Sequence, residues 1–130
     1  MTDDARLPGG KLEYAVLATL WEGGWLSVRE IHDQFGRVQG LGYTTTAKVV
    51  DRLHAKGLVR RRQHGRAFVY EASAARSEVD RARIREALGG LLAREPRTTL
   101  ATLVDTVESI DPALLEELVR LVESRRRAPR

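Results

Sequence analysis

Seven residues in the middle of the chain have the types and spacing needed to hold a polyanion. Thr44, Lys48 and Arg52 recur at i, i+4 and i+8, with Thr45 beside Thr44, and Arg60, Arg62 and Arg66 follow shortly after. Hydroxyls and cations along one helical edge can donate to phosphate oxygens. A lysine or arginine on that edge can also reach O6 and N7 of guanine, where a good bidentate contact discriminates by about 1–3 kcal/mol. Thr44 and Thr45 suit phosphate at a helix N-terminus, where the dipole favours anions, and Thr44 also suits plain capping.

The elements that must position these residues are legible around them. Thr46, Val49, Val50 and Leu53 fall at i, i+3, i+4 and i+7, an apolar stripe opposite the cationic edge. Gly57 stops this helix, with Lys56 in its last turn. The segment Leu58–Tyr70 then reads as two short strands around a His64-Gly65 turn. On a strand Arg60 and Arg62 share one face and Arg61 points to the other. Arg66, just past the turn glycine, is placed to track phosphate. Phe68 and Tyr70 are in phase with one another and read as core. Tyr43 reads equally as packing beneath the helix or touching a phosphate. A cationic helix followed by a cationic hairpin is the pattern of a winged helix-turn-helix, a fold that binds DNA.

The flanking chain fits that reading. Lys11–Glu22 carries Leu12, Ala15, Val16 and Leu20 on one stripe, with Leu17 and Trp21 widening it, and Gly23-Gly24 ends it. Trp25-Leu26 is long enough to add a strand to the hairpin. Ser27-Val28-Arg29-Glu30 has the capping-box spacing and opens a helix with Val28, Ile31 and Phe35 inward, stopping near Gly36. Residues up to about Gly10 read as loose. After the hairpin, Ser77–Ala93 is helical with Gly89-Gly90 as a weak point. Glu95-Pro96 breaks it, Thr98 or Thr99 caps a further segment, and Asp111-Pro112 caps the last. Arg125, Arg126, Arg127 and Arg130 form a frayed basic tail.

The expected fold class is therefore mainly α with a small β-wing. A winged helix-turn-helix domain over residues 1–72 is followed by a helical dimerisation region over 73–130. Leu100, Leu103, Val107, Leu115, Leu118 and Val122 are the expected dimer seam. The apolar arc of the last helix is broad, and a two-fold dimer reads two half-sites where one winged domain reads only a few base pairs.

Composition excludes several functions. The chain has 130 residues, 42% hydrophobic and 31% charged, enough for one compact domain with a helical extension. The net charge of +4 is concentrated: Gly40–Tyr70 holds seven cations against Asp51 alone, a local +6, whereas 11 arginines and 11 acids cancel from Glu71 onward. Such a patch is the electrostatic footprint expected on phosphate, with a solvated basic surface as the plainer alternative. No cysteine is present, which removes disulfides and thiolate metal sites. His32, His54 and His64 are isolated, so no metal or other cofactor is expected. No phosphate loop, nucleophile elbow or facing carboxylate pair supports an enzyme. The acidic, apolar-poor start is not a signal peptide, and no apolar run approaches the roughly 18 residues a bilayer requires, so a cytoplasmic protein without membrane insertion is expected.

Several of these residues together resemble the penicillinase-repressor family. They are Leu12-Glu13, Val16-Leu17, Leu20-Trp21-Glu22, Ser27-Val28-Arg29-Glu30-Ile31-His32, Tyr43-Thr44-Thr45, Arg52-Leu53, Lys56-Gly57-Leu58-Val59 and Gly65-Arg66-Ala67-Phe68-Val69-Tyr70. The resemblance is specific to about Ala72 and looser beyond. It implies a dimeric winged-helix repressor on a dyad DNA operator, with contacts by Thr44, Thr45, Lys48 and Arg52 and by Arg60, Arg62 and Arg66 of the wing. Relatives that respond to β-lactams are cut by a membrane-bound sensor protease, a candidate partner that nothing else in this chain supports. Ala47-Lys48 departs from many relatives, so operator sequence does not transfer. The chain has no asparagine, so the Asn-Phe bond cut in some relatives is absent, and without cysteine thiolate copper sensing is excluded. Two alternatives are a ligand-sensing regulator of the MarR type and a winged-helix module that binds protein. The first is disfavoured by the few pocket-forming residues in the C-terminal half, the second by the local +6.

Overall fold

The computed structural model describes residues 8–129. The expectations for the extreme N-terminus and for Arg130 fall outside these residues at positions 1–7 and 130. The chain forms two compact units, divided at Arg85/Glu86. The first thus runs past the boundary expected at residue 72 and takes in the start of a later helix.

The first unit begins with α1 (Lys11–Gly23), which ends where Gly24 adopts a left-handed φ of 75°. Its buried residues are Val16, Leu17, Leu20 and also Glu13, whereas Leu12, expected inward, is 38% exposed. A two-residue strand, β1 (Leu26–Ser27), leads directly into α2 (Val28–Ile31). Ser27 caps α2 with the expected reciprocal box: Glu30 N donates to Ser27 Oγ at 3.1 Å, and Ser27 N donates to Glu30 Oε1 at 2.8 Å. The helix continues as a π turn over His32–Gly36, closed by Arg37 N donating to His32 O at 2.7 Å.

α3 (Tyr43–Ala55) buries the four residues its spacing selects, Thr46, Val49, Val50 and Leu53. It ends in a full Schellman arrangement. Gly57 takes φ 77°, Gly57 N bonds His54 O at 3.0 Å, and Leu58 N bonds Leu53 O at 2.9 Å. A residue with a β-carbon would be strained at that φ.

β2 (Val59–His64) and β3 (Ala67–Ala72) form the wing hairpin, and β1 pairs with the other edge of β3, giving the antiparallel order β1-β3-β2. The two loop residues are Gly65 and Arg66, not the expected His64 and Gly65. Gly65 has φ 65° and no other described residue of the hairpin has positive φ, which is the requirement of a II′ turn with glycine first. Residues directly opposite across the sheet share a face. One face therefore holds Leu26, Val59, Arg61, Gln63, Phe68, Tyr70 and Ala72, and the other holds Ser27, Arg60, Arg62, Val69 and Glu71. Leu26, Val59 and Tyr70 join α1, α2 and α3 in a single core with Val16, Leu17, Leu20, Ile31, Val49, Val50, Leu53 and Leu58. α3 thus packs on the first of these faces.

The start of α4 (Arg76–Arg94) closes this unit. Val79 is buried, Tyr14 donates to Asp80 Oδ1 at 2.7 Å, and Trp21 Nε1 donates to Ala74 O at 2.9 Å. Arg76 lies over the Trp21 ring and Arg83 over the Tyr14 ring.

The second unit holds the rest of α4, α5 (Pro96–Ile110) and α6 (Pro112–Arg127). Gly89 and Gly90 lie inside α4 without breaking it. Glu95, rather than Thr98 or Thr99, is the N-cap of α5, because Pro96 with its fixed φ takes the first helical turn. Asp111 caps α6 as expected, accepting from Ala113 N at 3.0 Å. The helix runs through Arg127, so these arginines are its last turn rather than a frayed tail. α5 and α6 pack on each other, yet neither buries a single residue. Among the described residues no helix is long and apolar enough to cross a membrane.

Candidate nucleic-acid interface

The outer face of α3 is the centre of the site. Thr44, Thr45, Lys48 and Arg52 are all exposed on it, opposite a stripe that includes Thr46 at 0% exposure. Among the described residues, neither Lys48 nor Arg52 makes an ion pair, and Asp51 neutralises neither. Gly42, not Thr44, is the N-cap and supplies no side-chain cap. The first amide to find a helical partner is that of Thr46, which donates to Gly42 O at 3.2 Å. The helix start therefore presents amides and two hydroxyls on the same edge as the cations.

The position of α3 is fixed from beneath. Thr46 Oγ1 lies 2.9 Å from His32 Nδ1, tying α3 to the π turn. Gly36 sits against that pair: a β-carbon added there would collide with Thr46 Oγ1 and His32 Nδ1. Lys56, in the C-terminal turn, donates to Glu13 Oε1 of α1 at 2.8 Å. Burial of Glu13 would raise its pKa. The hydrogen bonds from Lys56 and the Gly9 amide and the charges of Lys56 and Arg52 outweigh this and lower it.

The wing sorts its arginines by partner. Centring the hairpin on Gly65-Arg66 puts Arg60 opposite Glu71, and Arg60 Nε donates to Glu71 Oε1 at 2.6 Å. Arg62 lies over the Trp25 ring at 4.2 Å, and Arg61 lies over the Phe68 ring at 4.2 Å. Arg66 is exposed at the tip. Among the described residues, the helix and wing thus offer Lys48, Arg52, Arg61, Arg62 and Arg66 without an ion pair, while Lys56 and Arg60 are paired. Tyr70 is core as expected, but Phe68 is not, being 42% exposed beneath Arg61. Tyr43 is exposed, with its ring edge-on to His32 at 5.6 Å and under Arg29 at 5.4 Å. Trp25, Arg29 and Glu71, which the sequence does not single out, touch these side chains, as does Phe68, which it places in the core. Centring the hairpin one residue later would have found Glu71.

The expected seam residues divide within the second unit. Leu103, Val107, Leu115 and Leu118 are half-buried, and Leu100 and Val122 are exposed at 53% and 48%. No cluster of three or more metal-ligating side chains occurs among the described residues.

A three-helix core, an uncapped cationic third helix and a two-stranded basic wing define a winged helix-turn-helix protein. The sequence profile described as penicillinase repressor matches residues 9–124, and the chain belongs to that family. It is accordingly a DNA-binding transcriptional repressor and not an enzyme. No curated protein matches it significantly. Among solved structures, it is similar to the DNA-binding domain of the repressor BlaI, with 22% identity and a TM-score of 0.50, over 60% of this chain and 93% of that one. It also shows likeness to a structure of HOP2 (22%, TM-score 0.44, 48% of this chain and 100% of that one). A third likeness is to the transcriptional regulator BldR from Sulfolobus solfataricus (21%, TM-score 0.44, 75% and 72%).

Proposed function

We propose that the protein represses transcription from the cytoplasm as a homodimer that reads a dyad operator. α3 lies in the major groove, where Lys48 and Arg52 face base edges and Thr44 and Thr45 face phosphate. Arg62 and Arg66 of the wing hold the flanking backbone, and Arg60 joins them once it leaves Glu71. The observation that carries this reading is the two-sidedness of α3: one edge wholly buried, the other exposing Lys48 and Arg52 with no ion pair. Residues 1–72 supply the DNA-binding function and residues 73–130 the dimer. The absence of any buried residue in α5 and α6 supports the second assignment, because Leu100, Val104, Leu114, Val119, Leu121 and Val122 stay exposed in a lone chain. A membrane-bound sensor protease, which the family resemblance implies, would have to cut a bond other than Asn-Phe.

Binding to the genomic fragment upstream of the protein's own gene, compared with a scrambled duplex across a salt series, tests this. The expected result is preference for the genomic fragment that persists as salt rises, with log affinity falling linearly in log salt. Equal, salt-fragile binding to both would mean that the basic face is generic.

A further inference from the structure

Two aromatic rings stand exposed on the α3 side of the wing, and each carries an arginine. Tyr43 opens α3 under Arg29, and Phe68 lies on β3 under Arg61. Tyr43, Arg29 and Phe68, together with Ser27 and Tyr70, line one groove of about 350 Å³ between the starts of α2 and α3 and the hairpin. Arg61 belongs to the same sheet face as Phe68 and Tyr70, the face on which α3 packs, whereas Arg60 and Arg62 belong to the other.

We propose that this groove seats a stretch of DNA backbone, with Arg29 and Arg61 as phosphate contacts and Tyr43 and Phe68 as the positioning residues that hold them. The proposal rests on the reading of α3 as the DNA-reading helix and extends its face across to the wing. Charge selects the occupant. Neither Arg29 nor Arg61 has an ion-pair partner among the described residues, and Glu30, the acid next to Arg29 in the chain, is engaged with the Ser27 amide. Location selects it too, because the groove begins at Tyr43, adjacent to Thr44 and Thr45 at the anion-favouring helix start. A guanidinium held over a ring is already restricted, so less order is lost when a phosphate arrives.

The test uses the full chain and a random-sequence DNA duplex, since phosphate contacts are blind to sequence. Arg29→Ala and Arg61→Ala are each expected to lower the slope of log affinity against log salt by about one. Phe68→Leu is expected to weaken binding by about two- to five-fold, the equivalent of an exposed cation–π contact. It should have no effect in the Arg61→Ala background, and Phe68→Tyr should bind as the wild type does. Equal losses from Phe68→Leu in both backgrounds would overturn its positioning role. Unchanged slopes for Arg29→Ala and Arg61→Ala, with Lys48→Ala and Arg66→Ala flattened, would overturn the groove proposal and leave the DNA-binding reading intact. A wild-type chain that binds no duplex would overturn both.

Discussion

Lys56 Nζ lies 2.8 Å from Glu13 Oε1, joining the last turn of α3 to a carboxylate only 7% exposed on α1. The pair fixes the C-terminal end of α3 against α1, away from the edge that carries Lys48 and Arg52. Glu13→Gln removes the charge while nearly keeping the shape, and abolishes the ion pair with Lys56. A loss of about 1–3 kcal/mol in unfolding free energy is expected, measured by denaturant titration. Because the Glu13 pKa is lowered in the folded state, its contribution is fully present above the ordinary value of 4.5 and is lost as pH falls through the lowered one. The Gln variant should therefore lose less stability on acidification than the wild type. Parallel pH profiles of the two would contradict this.

Gly36 touches the Thr46–His32 hydrogen bond, and space rather than backbone conformation demands glycine there. Gly36→Ala is expected to destabilise by about 1–3 kcal/mol through overpacking and to weaken DNA binding by tilting α3. Gly89 in α4 has no atom within 4 Å of an added β-carbon, so Gly89→Ala should stabilise by about 0.5–1 kcal/mol. Thermal melts of the two variants would show opposite signs. A neutral Gly36→Ala would mean that the π turn yields.

Local periodicity made α3 readable, because Thr46, Val49, Val50 and Leu53 satisfy a 3.6-residue period regardless of what they touch. The capping box at Ser27 and the Asp111 cap were readable for the same reason: their partners lie within three residues. Contacts across the chain were not. Glu13 is buried because Lys56, 43 positions away, meets it, and the core begins one turn too late for Leu12. Phe68 alternates correctly with Tyr70 but lies beyond the edge of what α3 covers. Placing the turn at His64-Gly65 instead of Gly65-Arg66 changed every cross-strand partner, hiding the Arg60–Glu71 pair. The π turn, an extra residue within a helical pattern, leaves no periodic signature.

Exposed and half-buried seam positions should respond differently to charge. Leu100→Glu and Val122→Glu alter exposed side chains, so helicity should persist by circular dichroism while sedimentation shows monomers and operator affinity falls. Leu118→Arg, at a half-buried position on α6, should lose both dimer and helicity. Intact dimers for all three would remove α5 and α6 from the interface.

Arg60 Nε and Glu71 Oε1 are 2.6 Å apart across the wing, on exposed and half-buried side chains respectively. Such a surface pair contributes little to folding, on the order of 0–1 kcal/mol. Its larger effect is electrostatic: in the free protein one of the wing's arginines is engaged by an acid on the next strand, and phosphate must compete for it. Glu71→Gln should therefore leave the melting temperature nearly unchanged while strengthening binding to random duplex and steepening its salt dependence by about one counterion. Arg60→Ala should then reverse that gain in the Gln variant, although it does little in the wild type. Glu71→Gln with unaltered salt dependence would show that Arg60 already exchanges Glu71 for phosphate when DNA binds. In that case Arg60→Ala alone should flatten the wild-type slope, so the two single variants and the double variant together decide which anion Arg60 holds in the complex.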